Sequence, residues 1–405
     1  MGLYTSWRSY YHSTDFDTYY YAAKDVLSGS SVYSDHEDVS PYIYPPFFAC
    51  LITPLGFFSL PVASFMWYLL NVVFFLFTLL ISYGLIFERK SIYAVQGSIL
   101  FLPKALFVIL VSVFFLDNIS MLQVNIFVLF LILLGLYNFK KNRDISAGLL
   151  LGAAISVKVI PILFLAYFVV KRELRTAVSI FLGTLVFCFG VPLLFMGPEG
   201  AWRSFLMWND SMFLRSVTFV PNPDMIITMF NPQNQSVTAL FSRILIRNDF
   251  TILHFKRMAH EYYPFLINWT FALTREQALC ISKIFTFCLA FLTFIYCLRR
   301  ISDRKAYSLN YEFALIFLIS LIMNPILKTQ QMAFLLFPLF FLISEISRAA
   351  CSKKYLYFSF MVFALLFLSQ ISVVFKILSF GALSILSLWL VILLCYHRSL
   401  LARHI

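Results

Sequence analysis

Apolar residues run through this chain in long blocks separated by short polar connections. The stretches 62–86, 93–115, 122–139, 176–196, 281–298, 311–326, 331–346, 355–372 and 378–396 each approach the length of a bilayer-crossing helix, which needs about 20 apolar residues. Two further stretches are apolar but interrupted. The run 145–170 contains Lys158 and Pro161 and reads as two short helices meeting at Lys158. The run 44–60 carries Pro45, Pro46 and Pro54 and reads as re-entrant or interfacial. The pattern predicts an all-α polytopic membrane protein, with an N-terminal segment 1–60, a helical bundle 61–196, a long loop 197–280 and a second bundle 281–405.

Composition narrows the class further. Apolar residues make up 61% and charged residues 12%, against about 45–50% and about 25% in soluble domains. So little charge cannot cover a water-facing surface, which excludes a soluble enzyme, a secreted disulfide scaffold and a disordered chain. The seven Cys are dispersed in or beside apolar runs, without a CxxC or Cys/His cluster, and read as small buried hydrophobes. No apolar core follows the start, so no signal peptide is expected; MGLYTS fits only the short Gly2 acylation pattern.

The net charge of +12 reads as membrane orientation rather than nucleic-acid binding. Arg89 and Lys90; Lys140, Lys141 and Arg143; Lys171, Arg172 and Arg175; Arg299, Arg300, Arg304 and Lys305; Arg348, Lys353 and Lys354; and Arg398 and Arg403 fall in alternate connections. The connections between them hold little beyond Lys158, Lys328 and Lys376. That asymmetry places the basic set in the cytoplasm. It predicts about eleven crossings, with the N-terminus, 1–44 and the 197–280 loop outside. Trp202, Trp208 and Trp269 in that loop suit the membrane interface.

Four polar clusters are candidates for chemistry. The first runs Asp15-Phe16-Asp17-Thr18-Tyr19, followed by Tyr42-Ile43-Tyr44-Pro45-Pro46, and six of the 19 acids precede residue 40. It reads either as a solvated loop or as a carboxylate held just outside the bilayer to serve as a general base. Lys158 is a cation inside an apolar run, which marks a functional hypothesis, here contact with a lipid phosphate, against simple snorkelling. Asn324 to Gln331 joins Lys328 to Gln330 and Gln331, as a phosphate and sugar contact or as a polar turn. Asn231 to Ser236 offers amides, which both donate to and accept from sugar hydroxyls and equally cap helices. Asp15-Phe16-Asp17 spells DxD, but the run supplies fewer oxygens than a divalent ion needs, so no metal or other cofactor is expected.

In order and spacing, these blocks resemble glycosyltransferase family 87, within the GT-C superfamily of polyprenyl-phosphate-sugar-dependent enzymes. The match is carried by Asp15, Phe16, Tyr19, Ala22, Ala23, Leu27, Gly29, Tyr33, Tyr42, Tyr44, Pro45, Pro46, Pro54 and Leu55. It continues through Gln123 and Asn125, Ala147, Gly148, Gly152 and Lys158, then Asn234, Gln235, Ser236 and Arg243. The resemblance implies transfer of a hexose, expected to be mannose, from a polyprenyl-phosphate donor to a lipid or glycan acceptor, with inversion. The active site would face the outside of a bacterial cytoplasmic membrane. It implies Asp15 as the catalytic base and Lys158 on the donor phosphate; Lys328, which stands where the family usually has Trp, is expected at the donor phosphate from its own charge. Asp17, Tyr19, Tyr44, Gln123, Asn125, Asn234, Gln235, Gln330 and Gln331 are expected around the acceptor and sugar.

Three departures stand out. Family members carry a spanning helix before the Asp loop, which this sequence lacks, pointing to a late-assigned start or a lost helix. Leu122 stands where the family usually has Gly, and Gln330-Gln331 replaces a His pair that an amide cannot imitate as a titrating group. Two alternatives of other classes remain open: a transporter or flippase of lipid-linked sugars, and an inactive homologue serving as a partner subunit. Asn118, Asn234 and Asn268 begin sequons on the outer side.

Overall fold

The computed structural model describes residues 14–87, 101–210, 231–246, 273–347, 353–371, 375–376 and 378–401. Among these the chain is helical, with no named strands. Helix α1 (Asp15–Ser28) and α2 (Pro46–Ile52, continued by a 3-10 turn Thr53–Phe57) precede the long helices. Then come α3 (Leu60–Ile86), α4 (Phe101–Ser120), α5 (Asn125–Lys140), α6 (Asp144–Val157), α7 (Ile162–Val170), α8 (Leu174–Leu185) and α9 (Val191–Trp208). After α10 (Val237–Leu245) follow α11 (Arg275–Tyr296), α12 (Leu309–Ile322), a 3-10 turn Thr329–Leu335 leading into α13 (Leu336–Ser347), α14 (Lys353–Ile371) and α15 (Phe380–Leu401).

Among the described residues, five helical runs are long and apolar enough to cross a bilayer: Leu60–Ile86, Leu174–Trp208, Arg275–Tyr296, Thr329–Ile346 and Phe380–Leu401. The protein is an all-α polytopic membrane protein. Its centre is α12, every residue of which is buried. The periphery is the α8–α9 run, where Leu182, Leu185, Val186 and Leu194 face outward, as lipid-facing side chains do.

The break in 145–170 lies where the sequence places it. Helix α6 ends at Val157, Lys158 is extended (φ −148°, ψ 126°), and Pro161 precedes α7. The described parts of 197–280 are more helical than the expected long loop. The chain turns at Gly197 (φ 69°), a left-handed geometry that suits glycine, and continues as helix to Trp208. Helix α11 then starts at Arg275, six residues before the expected boundary. Residues 211–230 and 247–272, with Trp269 and Asn268, lie outside the described residues, as do 1–13 and 88–100.

Helices α6 and α8 pack with almost no space between their backbones. A Cβ built on Gly148 would come within 2.2 Å of the Ser179 Cβ, and one on Gly152 within 2.7 Å of the Thr184 nitrogen. Small residues four apart are a device by which membrane helices approach closely, because dispersion then replaces the missing hydrophobic drive.

Charge is collected at the two ends of the bundle. At one end Lys171 donates to Glu312 at 2.9 Å, and Tyr167 (2.7 Å) and Tyr396 donate to the same carboxylate. Lys140 donates to Asn310 at 2.7 Å and to the Leu85 carbonyl at 3.3 Å. Arg304 pairs with Asp144 at 2.6 Å and with Glu173. The basic connections around 140, 171 and 299–305 therefore meet on one side, as their alternation predicts. Helices α5, α6 and α7 each run between this end and the end that carries Asn125, Lys158 and Pro161.

Replacing Gly148 by Ala is expected to destabilise the protein by about 1–3 kcal/mol, the usual cost of overpacking. Gly84→Ala, whose new Cβ meets nothing closer than Tyr137 at 3.6 Å, is expected to be neutral or mildly stabilising. Thermal unfolding of both variants in the same detergent checks the contrast.

Candidate active site

Within the acid-rich N-terminal segment, Asp15–Ser28 forms a largely buried helix, and the loop after it is largely exposed. Helix α1 starts with a capping box: the Thr14 backbone N–H donates to Asp17 Oδ2 at 2.8 Å and its hydroxyl to Oδ1 at 3.0 Å. It ends at Gly29 with φ 73°. Phe16, Tyr19, Ala22 and Ala23 point into the core. Asp17 and Asp25 are buried with them, while Asp35, Glu37 and Asp38 stay exposed. The helix thus holds Asp15 at its first turn, where the aligned backbone dipoles favour a carboxylate.

A continuous line of hydrogen bonds joins Lys158 to Asp15. Lys158 Nζ donates to Asn125 Oδ1 at 2.6 Å. Asn125 Nδ2 donates to Gln123 Oε1 at 3.4 Å and to Asn118 Oδ1 at 3.2 Å. Gln123 Nε2 donates to Asp15 Oδ2. The direction is forced: an ammonium can only donate, so Asn125 must turn its oxygen to Lys158 and its NH2 to Gln123. Gln123 in turn presents its NH2 to the carboxylate. Tyr19 adds a donor to Gln123 Oε1 at 3.3 Å and lies 3.0 Å from the Tyr44 hydroxyl.

Lys328 is exposed at the rim, and its charge, with that of Lys158, acts on Asp15. Burial nonetheless pushes the Asp15 carboxyl above the usual carboxylate range, against the Gln123 hydrogen bond and the charges of Lys328 and Lys158. Burial likewise raises Asp17 to about 6, against its two Thr14 hydrogen bonds.

The remaining expected residues fall into a supporting cluster. Asn234 Oδ1 accepts from the Leu327 and Ser236 backbones at 3.0 and 3.1 Å, and its Nδ2 donates to the Pro325 carbonyl at 3.2 Å. Gln235 Nε2 donates to the Pro232 and Lys376 carbonyls at 2.7 and 2.8 Å, and its Oε1 accepts from Gly381 at 3.0 Å. Both amides are thus committed to backbone; Asn234, with the Gln235 backbone N–H donating to the Leu327 carbonyl at 2.7 Å, holds the 324–328 loop that presents Lys328. Gln331 accepts from Asn324 at 2.8 Å, and the Gln330 carbonyl accepts from Asn118 at 2.8 Å. The polar-turn reading therefore describes the side chain of Gln331.

Two positioning residues escaped the sequence reading. Asn118 is 1% exposed and ties α4 to both Asn125 and the 329–335 turn. The only sequence signal for it is a polar Asn at the end of an apolar run, close before Gln123. Asn234, which begins a second sequon, is buried as well. Trp67 donates its indole N–H to the Leu122 carbonyl at 2.9 Å. Leu122 has φ 51°, the left-handed region where glycine is favoured. An L side chain there costs about 1–2 kcal/mol. Trp67 and complete burial hold it in place, which aims Gln123 at Asp15.

The family profile described as glycosyltransferase family 87 matches residues 42–325, and the chain belongs to that family. The matched span holds Gln123, Asn125 and Lys158, whereas Asp15 and Lys328 lie outside it. The chain is also 25% identical over 263 residues to the polyprenol-phosphate-mannose-dependent alpha-(1-2)-phosphatidylinositol mannoside mannosyltransferase of Mycobacterium tuberculosis. That alignment covers 61% of this chain, which spans 58% of the relative's length. No solved structure matches.

Asp17 gives a test of the burial at α1. Its folded value near 6 exceeds the unfolded 3.8, so between those values the folded chain holds the extra proton. Stability therefore falls as pH rises from about 4 to about 6, by at most about 3 kcal/mol. Asp17→Asn is expected to flatten that slope in denaturation series at pH 4.5 and 7. An unchanged slope assigns it to another group.

Proposed function

We propose that the protein is a hexosyltransferase that takes a sugar, expected to be mannose, from a polyprenyl-phosphate donor. It delivers the sugar to a hydroxyl of a lipid or glycan acceptor at the outer membrane face. The supporting observation is the directed line Lys158–Asn125–Gln123–Asp15, which joins a lysine ammonium and a carboxylate through one set of hydrogen bonds. Family membership and the donor named for the mycobacterial relative support the same chemistry.

Gln123 occupies one oxygen of Asp15, leaving the other to take the proton of the acceptor hydroxyl. The acceptor oxygen then forms its bond to the anomeric carbon as the bond from that carbon to the phosphate oxygen breaks. The proton ends on Asp15 and the electron pair on the departing polyprenyl phosphate. Lys158 and Lys328 stabilise the charge that develops there, and single displacement inverts the anomeric centre. The raised pKa of Asp15 makes it a stronger base than a surface carboxylate, and the rate should fall as pH drops through that value.

The test is transfer of labelled mannose from polyprenyl-phosphate mannose to membrane acceptors by the purified protein. Asp15→Asn is expected to lower turnover by about 100-fold or more while leaving the unfolding temperature unchanged. Full activity in that variant excludes Asp15 as the base. Donor binding without turnover in the wild type points instead to a partner subunit, and movement of intact donor across the bilayer to a transporter.

A further inference from the structure

At the end opposite Asp15, an open groove of about 790 Å³ lies between the start of α6 and the start of α8. Asn142 and Arg172, both at φ 60°, turn the chain tightly between α5 and α6 and between α7 and α8. The two helix starts are thereby set side by side, and the crossing of Gly148 against Ser179 closes the groove's inner edge. Arg143 and Arg175 line the groove and are both exposed, with Ser146 and Ser179 between them. The lining carboxylate, Asp144, is already engaged by Arg304 at 2.6 Å and by the Thr176 hydroxyl at 2.8 Å. The apolar part of the lining is turned outward, with Ile145 70% exposed, Leu174 64% and Val178 54%.

We propose that this groove seats the phosphate headgroup of an anionic phospholipid, held between Arg143 and Arg175. Each guanidinium presents a planar fork of donors that fits two phosphate oxygens at once. The serine hydroxyls supply further donors, and the starts of α6 and α8 add the partial positive charge of helix N-termini. Ile145, Leu174 and Val178 lie beside the headgroup and cover the upper part of the acyl chains. Those three side chains select a lipid over a free phosphate ion, which has no apolar part to place there. The groove sits at the basic end of the bundle, where membrane proteins meet anionic headgroups. A lipid there braces the α6–α8 crossing, and α6 carries Lys158 at its far end.

Native mass spectrometry of the full-length protein, equilibrated in micelles with equal phosphatidylglycerol and phosphatidylcholine, tests this. The wild type is expected to retain phosphatidylglycerol at least fivefold over phosphatidylcholine. R143Q/R175Q should bring that ratio close to one, and R143K/R175K should keep part of it. R300Q/K305Q removes the same charge from exposed residues at the same end and should leave the ratio unchanged. Equal loss in R300Q/K305Q, or an unchanged ratio in R143Q/R175Q, overturns the site. Displacement of the retained lipid by millimolar inorganic phosphate also overturns it, by showing a free-anion site. The readout is independent of glycosyl transfer, so it stands or fails apart from the proposed activity.

Discussion

Lys158 is the constraint on which the polar interior depends. An ammonium group within an apolar helical bundle must donate its protons to something, and it can accept nothing in return. Asn125 answers that demand, and its orientation then dictates that of Gln123, which dictates the bond to Asp15. The amides act as aligned dipoles between a cation and a carboxylate, each polarising the next. The broken helix makes this arrangement available, since Lys158 sits in the extended gap between α6 and α7 rather than on a helix face.

The other structural features serve to hold that line still. Trp67 pins the strained Leu122 backbone, and Asn118 ties α4 to Asn125 and to the turn that follows Lys328. Asn234 and Gln235 bind the 324–328 loop by its backbone. At the far end the buried Lys171–Glu312 pair, ringed by Tyr167 and Tyr396, closes the bundle around α12. Such a pair contributes little by itself, but losing one partner strands a buried charge, at about 3–5 kcal/mol. Polar groups are thus concentrated in two layers, with the apolar helices spanning between them.

Much of this was legible in the chain. Block-like hydropathy announces membrane helices, because a lipid-exposed backbone has to satisfy itself. Lys158 beside Pro161 announced the helix break, since proline and a buried charge both disrupt a regular span. The alternating basic clusters anticipated that residues 140, 171 and 304 would share one end. Other features depended on three-dimensional packing. Tyr19 and Phe16 turn a polar-looking loop into a buried helix because α3 and the 42–48 segment cover them, and no local pattern encodes that cover. Asn234 and Gln235 read as sugar contacts because a free amide and a backbone-bound amide have the same sequence. Leu122 at a left-handed φ could be read only as an unexplained departure until Trp67 was seen to hold its carbonyl.

The central claim is that Gln123 tunes a partly buried catalytic base at Asp15, and one measurement addresses it directly. The pH dependence of kcat/KM for mannosyl transfer is compared between the wild type and Gln123→Met. Removing the hydrogen bond that favours the charged carboxyl should move the acidic limb to higher pH, with measurable transfer remaining on the alkaline side. An acidic limb that stays in place while activity drops uniformly contradicts the account and leaves Gln123 with a purely structural role.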